Sequence, residues 1–553
     1  MNYSIIKDKY LWAILIIAIV VRLYSGFTTF VISTDAVQYI DQARNFVEGR
    51  FNRIDYSETV GFESSYHPLY SFLIAVLFQC INNYEISAKA VSIIMGVSLV
   101  TAVYVMGKRI FDSRIAFFCA LILCFHPYAS RLSAEILSES TYLFFFTLAI
   151  GLGFFALNNY KPLYFVGTGL SSAFAYLTRP EGVGVLMIVG FFTVFWKLSS
   201  LRVSLSRRLW CLVIMLLAFS FMASPYLIYI KKQTGHWALT KKKSVTELLG
   251  FENISFKQNV GSKAVEENSE STSDHGTVKK SERGVSNYKT VLAKPLGKIW
   301  NLGYRKYLDI LMFMISKFIS TYHPLLILLL IFGIITYKRI PRLGKPGIYL
   351  GLILAFYMFI LFALAVVFSS GEHYYLSRRH LMPLVIPTMF CSAIGIQTLS
   401  NWVGKRSVSP STRYRWFLDA KVIIPIIVIC VLLPKTLKFH RAEKIGTKEA
   451  GYWLSENAQE DTSVIMGISP RMAFYAGGKH VFMNPGSYGE MIVHARSLRV
   501  NYLEIYKEKI ARTCPDFFES INDEDIELVY QHKYEGKSKE LNLLLYKVLY
   551  GNE

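Results

Sequence analysis

Long uninterrupted apolar runs constrain this 553-residue chain more than any other feature. The runs are about 17 to 24 residues long, and about 20 helical residues cross the hydrocarbon core of a bilayer. Only 18% of the residues are charged, whereas an average soluble domain has about 25%. A soluble helical protein would show amphipathic stripes instead. The sequence therefore predicts a mainly α-helical, polytopic membrane protein with about eleven transmembrane helices.

The positions of Lys and Arg in the short loops predict the orientation of these spans. The predicted spans cover residues 10–32, 88–107, 115–129, 139–157, 162–178, 182–197, 209–230, 322–337, 347–368, 380–399 and 421–435. Basic residues concentrate in alternate loops, starting with Lys7 and Lys9, and these loops are predicted to be cytoplasmic. An odd number of spans then puts the C-terminal tail outside. The net charge of +21 reflects loops that face lipid headgroups, and no motif indicates nucleic-acid binding.

Three long segments face the outer side in this topology. The first, 33–87, contains an apolar stretch at 68–80 that is too short to span, and we predict an interfacial or re-entrant helix there. The second, 231–307, is polar at 252–290, which predicts a mobile loop. The third, 436–553, alternates short strands and helices and predicts a small extracytoplasmic α/β domain. Residues 1–435 form the transmembrane domain. The first apolar run continues past Arg22 without a cleavage site, so it is predicted to be an uncleaved span.

The tail pattern is specific enough to place its elements. A helix is predicted at 449–457, and strands at 463–467, 481–483, 501–506, 526–530 and 541–548. The tail has no glycine-rich phosphate loop, so we assign it no nucleotide site.

Ionisable residues at the outer ends of the spans are the candidates for chemistry, because burying such groups is costly without pairing or function. Asp35 follows the first span and can act as a general base or bind a metal. The structural alternative is that Thr34 or Asp35 caps a helix. His67, beside Tyr66, can contact an anionic phosphate, or it can simply flank a helix that starts at Pro68.

Further charged residues follow the same outer face. Arg131, Glu135 and Glu139 are spaced to lie on one helical face, either as substrate contacts or as a pair that neutralises a span entrance. The Arg179–Glu181 turn favours a structural ion pair. Arg378 and Arg379, after Tyr375, contradict the charge bias of the outer loops, and an arginine fork suits phosphate. Headgroup anchoring is the alternative for these arginines.

Carboxylates and arginines thus converge on one membrane face, which suits a lipid-linked phosphate substrate. The arginines would hold the leaving phosphate, and a carboxylate would activate an acceptor hydroxyl.

The order of these motifs resembles the GT-C superfamily of membrane glycosyltransferases. It resembles in particular the bacterial branch of the protein O-mannosyltransferase and lipid A aminoarabinose transferase type. The resemblance is carried by Asp35, by His67-Pro68-Leu69-Tyr70, by His126-Pro127 with Glu135 and Glu139, by Thr178-Arg179-Pro180-Glu181-Gly182, by Arg378-Arg379-His380-Leu381-Met382-Pro383, and in the tail by Ser469-Pro470-Arg471-Met472-Ala473-Phe474-Tyr475-Ala476-Gly477-Gly478.

The resemblance implies a polyprenyl-phosphate sugar donor and inverting transfer on the non-cytoplasmic side. It implies that Asp35 is the catalytic residue, that Glu139 fills an acidic position after the third span, and that Arg378 or Arg379 lies near the donor phosphate. Two departures stand out. Ala36 replaces a second acidic residue, which leaves a divalent cation without a clear ligand set, and the His-Pro-Pro-Leu-Tyr pattern lacks one proline.

We therefore predict a glycosyltransferase of the bacterial inner membrane, with Tyr66, His67, Arg131, Glu135, Glu139, Tyr375, Arg378 and Arg379 as substrate contacts. The acceptor would be a hydroxyl or phosphate group of lipid A, a glycan or a protein, and the sequence identifies neither the acceptor nor the sugar. The alternative is a transporter or flippase of a lipid-linked glycan, which would carry charges near the midplane of its spans. A non-catalytic assembly scaffold is a third hypothesis.

Overall fold

The structure is a computed structural model, and it describes residues 8–51, 66–195, 203–240, 304–337, 344–368, 376–406, 420–458, 463–483, 487–536 and 539–550. The loop predicted to be mobile, 252–290, lies outside these residues. Helices dominate, and one small sheet lies in the C-terminal part. The predicted fold class, a polytopic helical bundle with a small α/β tail, is confirmed.

The membrane part is built from helices α1 to α15. Their bounds are α1 Lys9–Phe27, α2 Thr34–Val47, α3 Leu69–Ile81, α4 Tyr84–Ile110, α5 Ser113–Phe125, α6 Pro127–Ala134, α7 Glu139–Asn159, α8 Pro162–Thr178, α9 Val183–Phe195, α10 Leu205–Thr234, α11 Tyr304–Tyr322, α12 Pro324–Tyr337, α13 Gly344–Phe368, α14 Arg378–Arg406 and α15 Ala420–Thr436.

Six of the described helices, α1, α4, α7, α10, α13 and α14, are long and apolar enough to cross a membrane alone. Two more spans result if the bent pairs α5–α6 and α11–α12 each count as one. Helices α8, α9 and α15 fall on the remaining predicted spans. The chain is thus a multi-pass membrane protein. The predicted span 115–129 includes the 62° bend between α5 and α6, and the predicted span 322–337 corresponds to α12, which follows the 103° bend after α11.

At the first bend, at His126, side chains satisfy the backbone carbonyl groups that a broken helix leaves unpaired in an apolar environment. Pro127 has no N–H, so the carbonyl groups at the end of α5 lose their helical donors. Arg22 replaces them, donating to the Leu123 and Cys124 carbonyl oxygens at 3.0 and 2.8 Å. Thr436 Oγ1 donates to the Phe125 carbonyl oxygen at 2.6 Å. Side chains from α1 and α15 therefore fix the break, which backbone groups in a bilayer require.

We expect Arg22→Leu to destabilise the protein by roughly 2–5 kcal/mol. Arg22 is fully buried, and its loss leaves two carbonyl groups without donors, each worth about 1–3 kcal/mol. Arg22→Lys keeps the charge but not the paired guanidinium donors that reach both carbonyl groups. We therefore expect it to destabilise the protein by about half as much as Arg22→Leu. Thermal unfolding of the purified protein in detergent measures both variants. Equal stability of Arg22→Leu and the wild type would contradict this account.

Helices α12 and α14 approach each other closely through two glycines. A Cβ at Gly333 would lie 1.8 Å from the Cys391 carbonyl oxygen, and one at Gly395 would lie 2.2 Å from the Leu329 carbonyl oxygen. Small residues allow such backbone contact between membrane helices, where packing replaces the hydrophobic effect. This contact holds α14, which carries Arg379 at its N-terminal end.

The tail forms a five-stranded sheet of order β2-β1-β3-β5-β4. Its elements are α16 Ile445–Asn457, β1 Val464–Gly467, α17 Arg471–Ala476, β2 Lys479–Phe482, α18 Tyr488–Ser497, β3 Tyr502–Tyr506, α19 Lys507–Thr513, β4 Ile526–Gly536 and β5 Lys539–Val548. Strand β1 pairs in parallel with β2 and β3, whereas β5 pairs antiparallel with β3 and β4. Each predicted strand is present. Strand β4 runs beyond its predicted end, because its pairing with β5 continues to Gly536.

The tail contacts the chain between α1 and α2 directly. The Phe30 N–H donates to the His440 carbonyl oxygen at 3.2 Å, and the His440 N–H donates to the Thr28 carbonyl oxygen at 3.0 Å. The Tyr475 hydroxyl accepts from the Ile32 N–H at 3.1 Å. These bonds lie next to the start of α2, so the tail and the first outer segment share one side of the bundle.

Glu504 on β3 predicts a pH dependence of stability. It is fully buried, and burial raises its pKa to about 7, against the opposing effect of Arg471 and Lys509. The folded state therefore holds this proton more tightly than the unfolded state, so stability falls as the pH rises from about 4.5 to about 7. The loss amounts to about 3 kcal/mol. We expect Glu504→Gln to remove this slope in melting temperature against pH. An unchanged slope would contradict the prediction.

Candidate active site

Asp35 lies in the first turn of α2, and its side chain does not cap that helix. Ser33 is the cap, because its Oγ accepts from the Ala36 N–H at 3.1 Å. The alternative that Thr34 or Asp35 caps the helix is therefore wrong. Asp35 Oδ2 instead accepts a 2.7 Å hydrogen bond from Arg379 Nη1. The helix start favours this carboxylate through the backbone dipoles, and the arginine pairs with it across 344 residues of sequence.

Arg379 and Glu139 lie at two other helix starts and contact each other there. Arg379 is in the first turn of α14, and Glu139 is the first residue of α7. Arg379 Nη1 lies 3.7 Å from Glu139 Oε1. Glu139 is only 2% exposed, so this carboxylate is nearly withdrawn from water while Asp35 and Arg379 keep part of their solvent access. A buried carboxylate needs such cationic partners.

Arg179 makes a contact that the sequence did not predict, with Glu139. Its Nη1 donates to Glu139 Oε1 at 2.8 Å, which is a shorter contact than the 3.4 Å between Arg179 Nη2 and Glu181 Oε1. The predicted Arg179–Glu181 pair exists, but Glu139 is the closer partner. The sequence signals were an arginine in a predicted outer loop, where the charge bias disfavours it, and its place in the Thr178-Arg179-Pro180-Glu181-Gly182 motif.

Four helix ends and one turn thus bring five charged groups into a continuous row. The row, which we call the outer ion network, runs Asp35, Arg379, Glu139, Arg179, Glu181. Glu139 Oε2 is buried and has no hydrogen-bond partner among the described residues. Within the described residues no group of three or more His, Cys, Asp or Glu side chains is arranged to hold a metal ion, so the divalent cation considered from the sequence has no ligand set there.

Arg131 and Glu135 form a second ionic contact next to this network. Arg131 Nε donates to Glu135 Oε1 at 2.8 Å, and Arg441 from the tail donates to Glu135 Oε2 at 3.1 Å. The interpretation of Arg131, Glu135 and Glu139 as one helical face is wrong. Helix α6 ends at Ala134, Glu135 is extended, and Glu139 begins the next helix.

The remaining predicted contacts lie in other surroundings. His67 is buried, with its ring 5.2 Å from that of Tyr176 and 4.9 Å from that of Tyr226, and its Nε2 lies 3.2 Å from Thr240 Oγ1. The rings of Tyr66 and Tyr39 are tilted relative to each other, with their centroids 4.7 Å apart. The Tyr39 hydroxyl donates to Ser138, the neighbour of Glu139.

Two other predicted substrate contacts, Arg378 and Tyr375, precede Arg379 in the sequence. Arg378 is exposed and has no ion pair within the described part of the chain. Tyr375 lies outside the described residues. Of the two arginines that the sequence left open for phosphate, the structure brings Arg379 into the outer ion network.

The comparisons with known proteins agree with this architecture. Residues 65–229 match the sequence model of the family described as dolichyl-phosphate-mannose-protein mannosyltransferase. This segment contains Glu139, Arg179 and Glu181. No curated protein matches the chain.

Solved structures match nearly the whole chain. ArnT from Cupriavidus metallidurans, bound to undecaprenyl phosphate, is similar with a TM-score of 0.56 and 12% identity, over 97% of this chain and 98% of that one. The oligosaccharyltransferase AglB from Archaeoglobus fulgidus, in complex with an inhibitory peptide and a dolichol-phosphate, is similar with a TM-score of 0.57 and 13% identity, over 97% and 74%. The protein has the fold of a GT-C membrane enzyme. Within that class, the predicted resemblance to the mannosyltransferase and aminoarabinose transferase type is confirmed.

Proposed function

We propose that the protein is a membrane glycosyltransferase that moves a sugar from a polyprenyl-phosphate donor to an acceptor at the outer face of the membrane. The observation that carries the proposal is the outer ion network. It places a part-exposed carboxylate, Asp35, in direct contact with a part-exposed guanidinium, Arg379, at the starts of helices α2 and α14. Transfer from a lipid phosphate would use a base for the acceptor hydroxyl and a cation for the leaving phosphate.

Arg379 would bind the donor phosphate. Its guanidinium presents several N–H donors in a plane, which suits phosphate oxygens, and 38% of its side chain is exposed. An incoming phosphate would compete with Asp35 for this guanidinium and release the carboxylate. Arg179 is less exposed and is held by Glu139 and Glu181, so its role would be to hold Glu139 in place behind Arg379.

The reaction would be a single displacement with inversion. Asp35 would accept the proton of the acceptor hydroxyl, whose oxygen would form a bond to the anomeric carbon. The bond from that carbon to the phosphate oxygen would break, and polyprenyl phosphate would leave with its electron pair and a new negative charge. Arg379 would stabilise that charge as it develops. His67, Tyr66 and Tyr375 remain candidate contacts to the sugar or lipid.

The comparisons support this reaction class by what the similar proteins hold. ArnT is bound to undecaprenyl phosphate, and AglB is in complex with a dolichol-phosphate and an inhibitory peptide. We propose the bacterial inner membrane as the location, with residues 436–553 as an extracytoplasmic domain. The contacts between the tail and the first outer segment support that arrangement.

A transporter would use charges near the midplane of its spans. Arg22 is a buried charge inside a span, but its guanidinium is engaged by the Leu123 and Cys124 carbonyl groups. The charged groups of the outer ion network lie at helix ends instead, which favours transfer at the membrane surface.

The proposal is tested by mass spectrometry of glycolipids and glycoproteins in a deletion strain. We expect one acceptor to lose a sugar residue and the Asp35→Asn gene to leave it unmodified, while the wild-type gene restores it. Proteoliposomes complete the test, because a flippase would move lipid-linked glycan across the bilayer without a covalent product. Unchanged glycans in the deletion strain would contradict the proposal.

A further inference from the structure

Two arginines at the start of α10 lie at the end of the bundle opposite the outer ion network. Helix α7 begins in that network, at Glu139, and spans 21 residues to Asn159. At 1.5 Å per residue this helix is about 30 Å long, which is the thickness of a hydrocarbon core. Arg207 Nη2 donates at 3.4 Å to the carbonyl oxygen of Tyr160, the residue that follows α7. Arg207 and its neighbour Arg208, which we call the arginine pair, therefore lie at the other membrane surface.

Arg208 is buried at this surface, and its guanidinium is incompletely satisfied. Its side chain is 9% exposed, and its Nη1 donates to the Val194 carbonyl oxygen, near the end of α9, at 3.2 Å. The Tyr160 hydroxyl donates to the neighbouring Thr193 carbonyl oxygen at 3.2 Å, so both arginines reach adjoining helix ends. Arg208 Nε is buried and has no hydrogen-bond partner among the described residues. Capping of α9 therefore accounts for only part of this buried guanidinium.

The charge of the arginine pair is not balanced by the chain around it. Across positions 140–240 the sequence has one acidic residue, Glu181. That residue belongs to the outer ion network, at the far ends of α8 and α9. Within the described part of the chain, the side chains of the pair bond to the Tyr160 and Val194 carbonyl groups. A carbonyl group carries only a partial charge, so two full positive charges stay uncompensated at the edge of the hydrocarbon layer, where that is costly.

The position of the pair in α10 adds to this charge. Arg207 and Arg208 are the third and fourth residues of the helix, and its first turn contains no acidic residue. Ser204 is the cap, and its Oγ accepts from the Arg207 N–H at 3.5 Å. The start of a helix carries a partial positive charge, so two cations there are unfavourable. An anion would be stabilised by the helix start and by both guanidinium groups, and phosphate is the anion whose oxygens suit them.

The surroundings of the pair favour a lipid over a water-soluble anion. Leu205, Leu209 and Trp210 are exposed on the first two turns of α10, and Leu163 is exposed near the start of α8. Tryptophan is enriched where a membrane meets water, so Trp210 indicates that the start of α10 lies at the depth of lipid headgroups. A phosphate held there would continue into acyl chains along the exposed apolar side chains.

We propose that the arginine pair binds the phosphate of an anionic phospholipid at the membrane surface opposite the outer ion network. Arg207 is exposed and contacts the phosphate directly, while Arg208 adds its charge from within the bundle. The bound lipid ties together the ends of α7 and α9 and the start of α10, which the two arginines already join. Neither arginine belongs to the outer ion network, so this inference is independent of the proposed function.

Titration of the full-length protein with short-chain lipids in neutral detergent tests this site. The probe is dioctanoyl phosphatidylglycerol, which is anionic, and the reference is dioctanoyl phosphatidylcholine, which has the same phosphate but no net charge. We expect the wild type to bind the anionic lipid about tenfold more tightly or better, and Arg207→Gln to lower that preference about fivefold. The matched control is Arg114→Gln, which removes an exposed charge at the start of α5, on the same predicted side of the membrane. Its preference should stay within about twofold of the wild type.

The outcomes separate a defined site from general attraction between charges. Equal losses in Arg207→Gln and Arg114→Gln would show a diffuse surface effect and overturn the inference. Equal affinity of the wild type for the two lipids would overturn it as well, as would displacement of phosphatidylglycerol by an equal concentration of inorganic phosphate. The melting temperature of Arg207→Gln without lipid should match that of the wild type, since its side chain is exposed. Lipid binding is measured without sugar transfer, so a wild type that binds the anionic lipid but transfers no sugar would overturn the proposed function and support this site.

Discussion

Asp35→Asn is expected to lower the turnover of sugar transfer about 10²–10⁴-fold, the range that a positioned general base contributes. The amide keeps the size of the side chain but cannot accept the proton of the acceptor hydroxyl. It can still contact Arg379, so the protein should fold and the KM for the donor should change little. Turnover is measured with purified protein, a labelled polyprenyl-phosphate sugar and membrane extract from a deletion strain as the acceptor source.

Glu48→Gln is the matched control for this substitution. Glu48 directly follows the last residue of α2, the helix that carries Asp35, and its exposed side chain pairs with Arg50. Like Asp35→Asn, the Glu48→Gln substitution replaces a carboxylate by an amide, but away from the outer ion network. The turnover of this variant should stay near that of the wild type. Wild-type turnover in Asp35→Asn would show that another group is the base.

Arg379→Lys is expected to lower turnover about 10²–10³-fold, similar to the loss of one donor that stabilises a developing negative charge. Lysine keeps the charge but not the planar set of donors that pairs with Asp35 and would then bind the phosphate. The comparison with Arg378→Lys is the informative one. Arg378 is adjacent and exposed, so its substitution should change turnover less than about threefold.

The two arginines therefore form an internal test of the geometry. Equal losses at both positions would show that positive charge at this membrane face matters, rather than the Asp35–Arg379 contact. A larger loss in Arg378→Lys would contradict the site as described.

The apolar runs and the tail strands were predictable because burial in a bilayer and strand alternation are local properties of sequence. The five tail strands and the long apolar helices follow from them. The bend at His126 was not predicted, because a run of apolar residues does not show where Pro127 removes a donor or that Arg22 replaces it. The β4 strand was too short in the prediction, because its end depends on pairing with β5.

The residues of the candidate site likewise fall into those that local sequence indicates and those whose contacts depend on packing. Asp35, Glu139 and Arg379 were singled out because each is a charged residue beside the predicted end of a span. Arg179 was assigned to its neighbour Glu181, because its closer partner Glu139 is 40 positions away and is reached only once α7 and α8 are packed. Arg441 gave no signal, since its role depends on how the tail meets Glu135. Contacts between distant segments decide these roles.

The most direct test of the central claim is sugar transfer by the purified wild-type protein from a synthetic polyprenyl-phosphate sugar, with product and released polyprenyl phosphate counted together. The account predicts one polyprenyl phosphate released for each sugar transferred, inverted anomeric configuration in the product, and loss of both signals in Asp35→Asn. Donor that crosses the bilayer of proteoliposomes intact, with neither product formed, would contradict it.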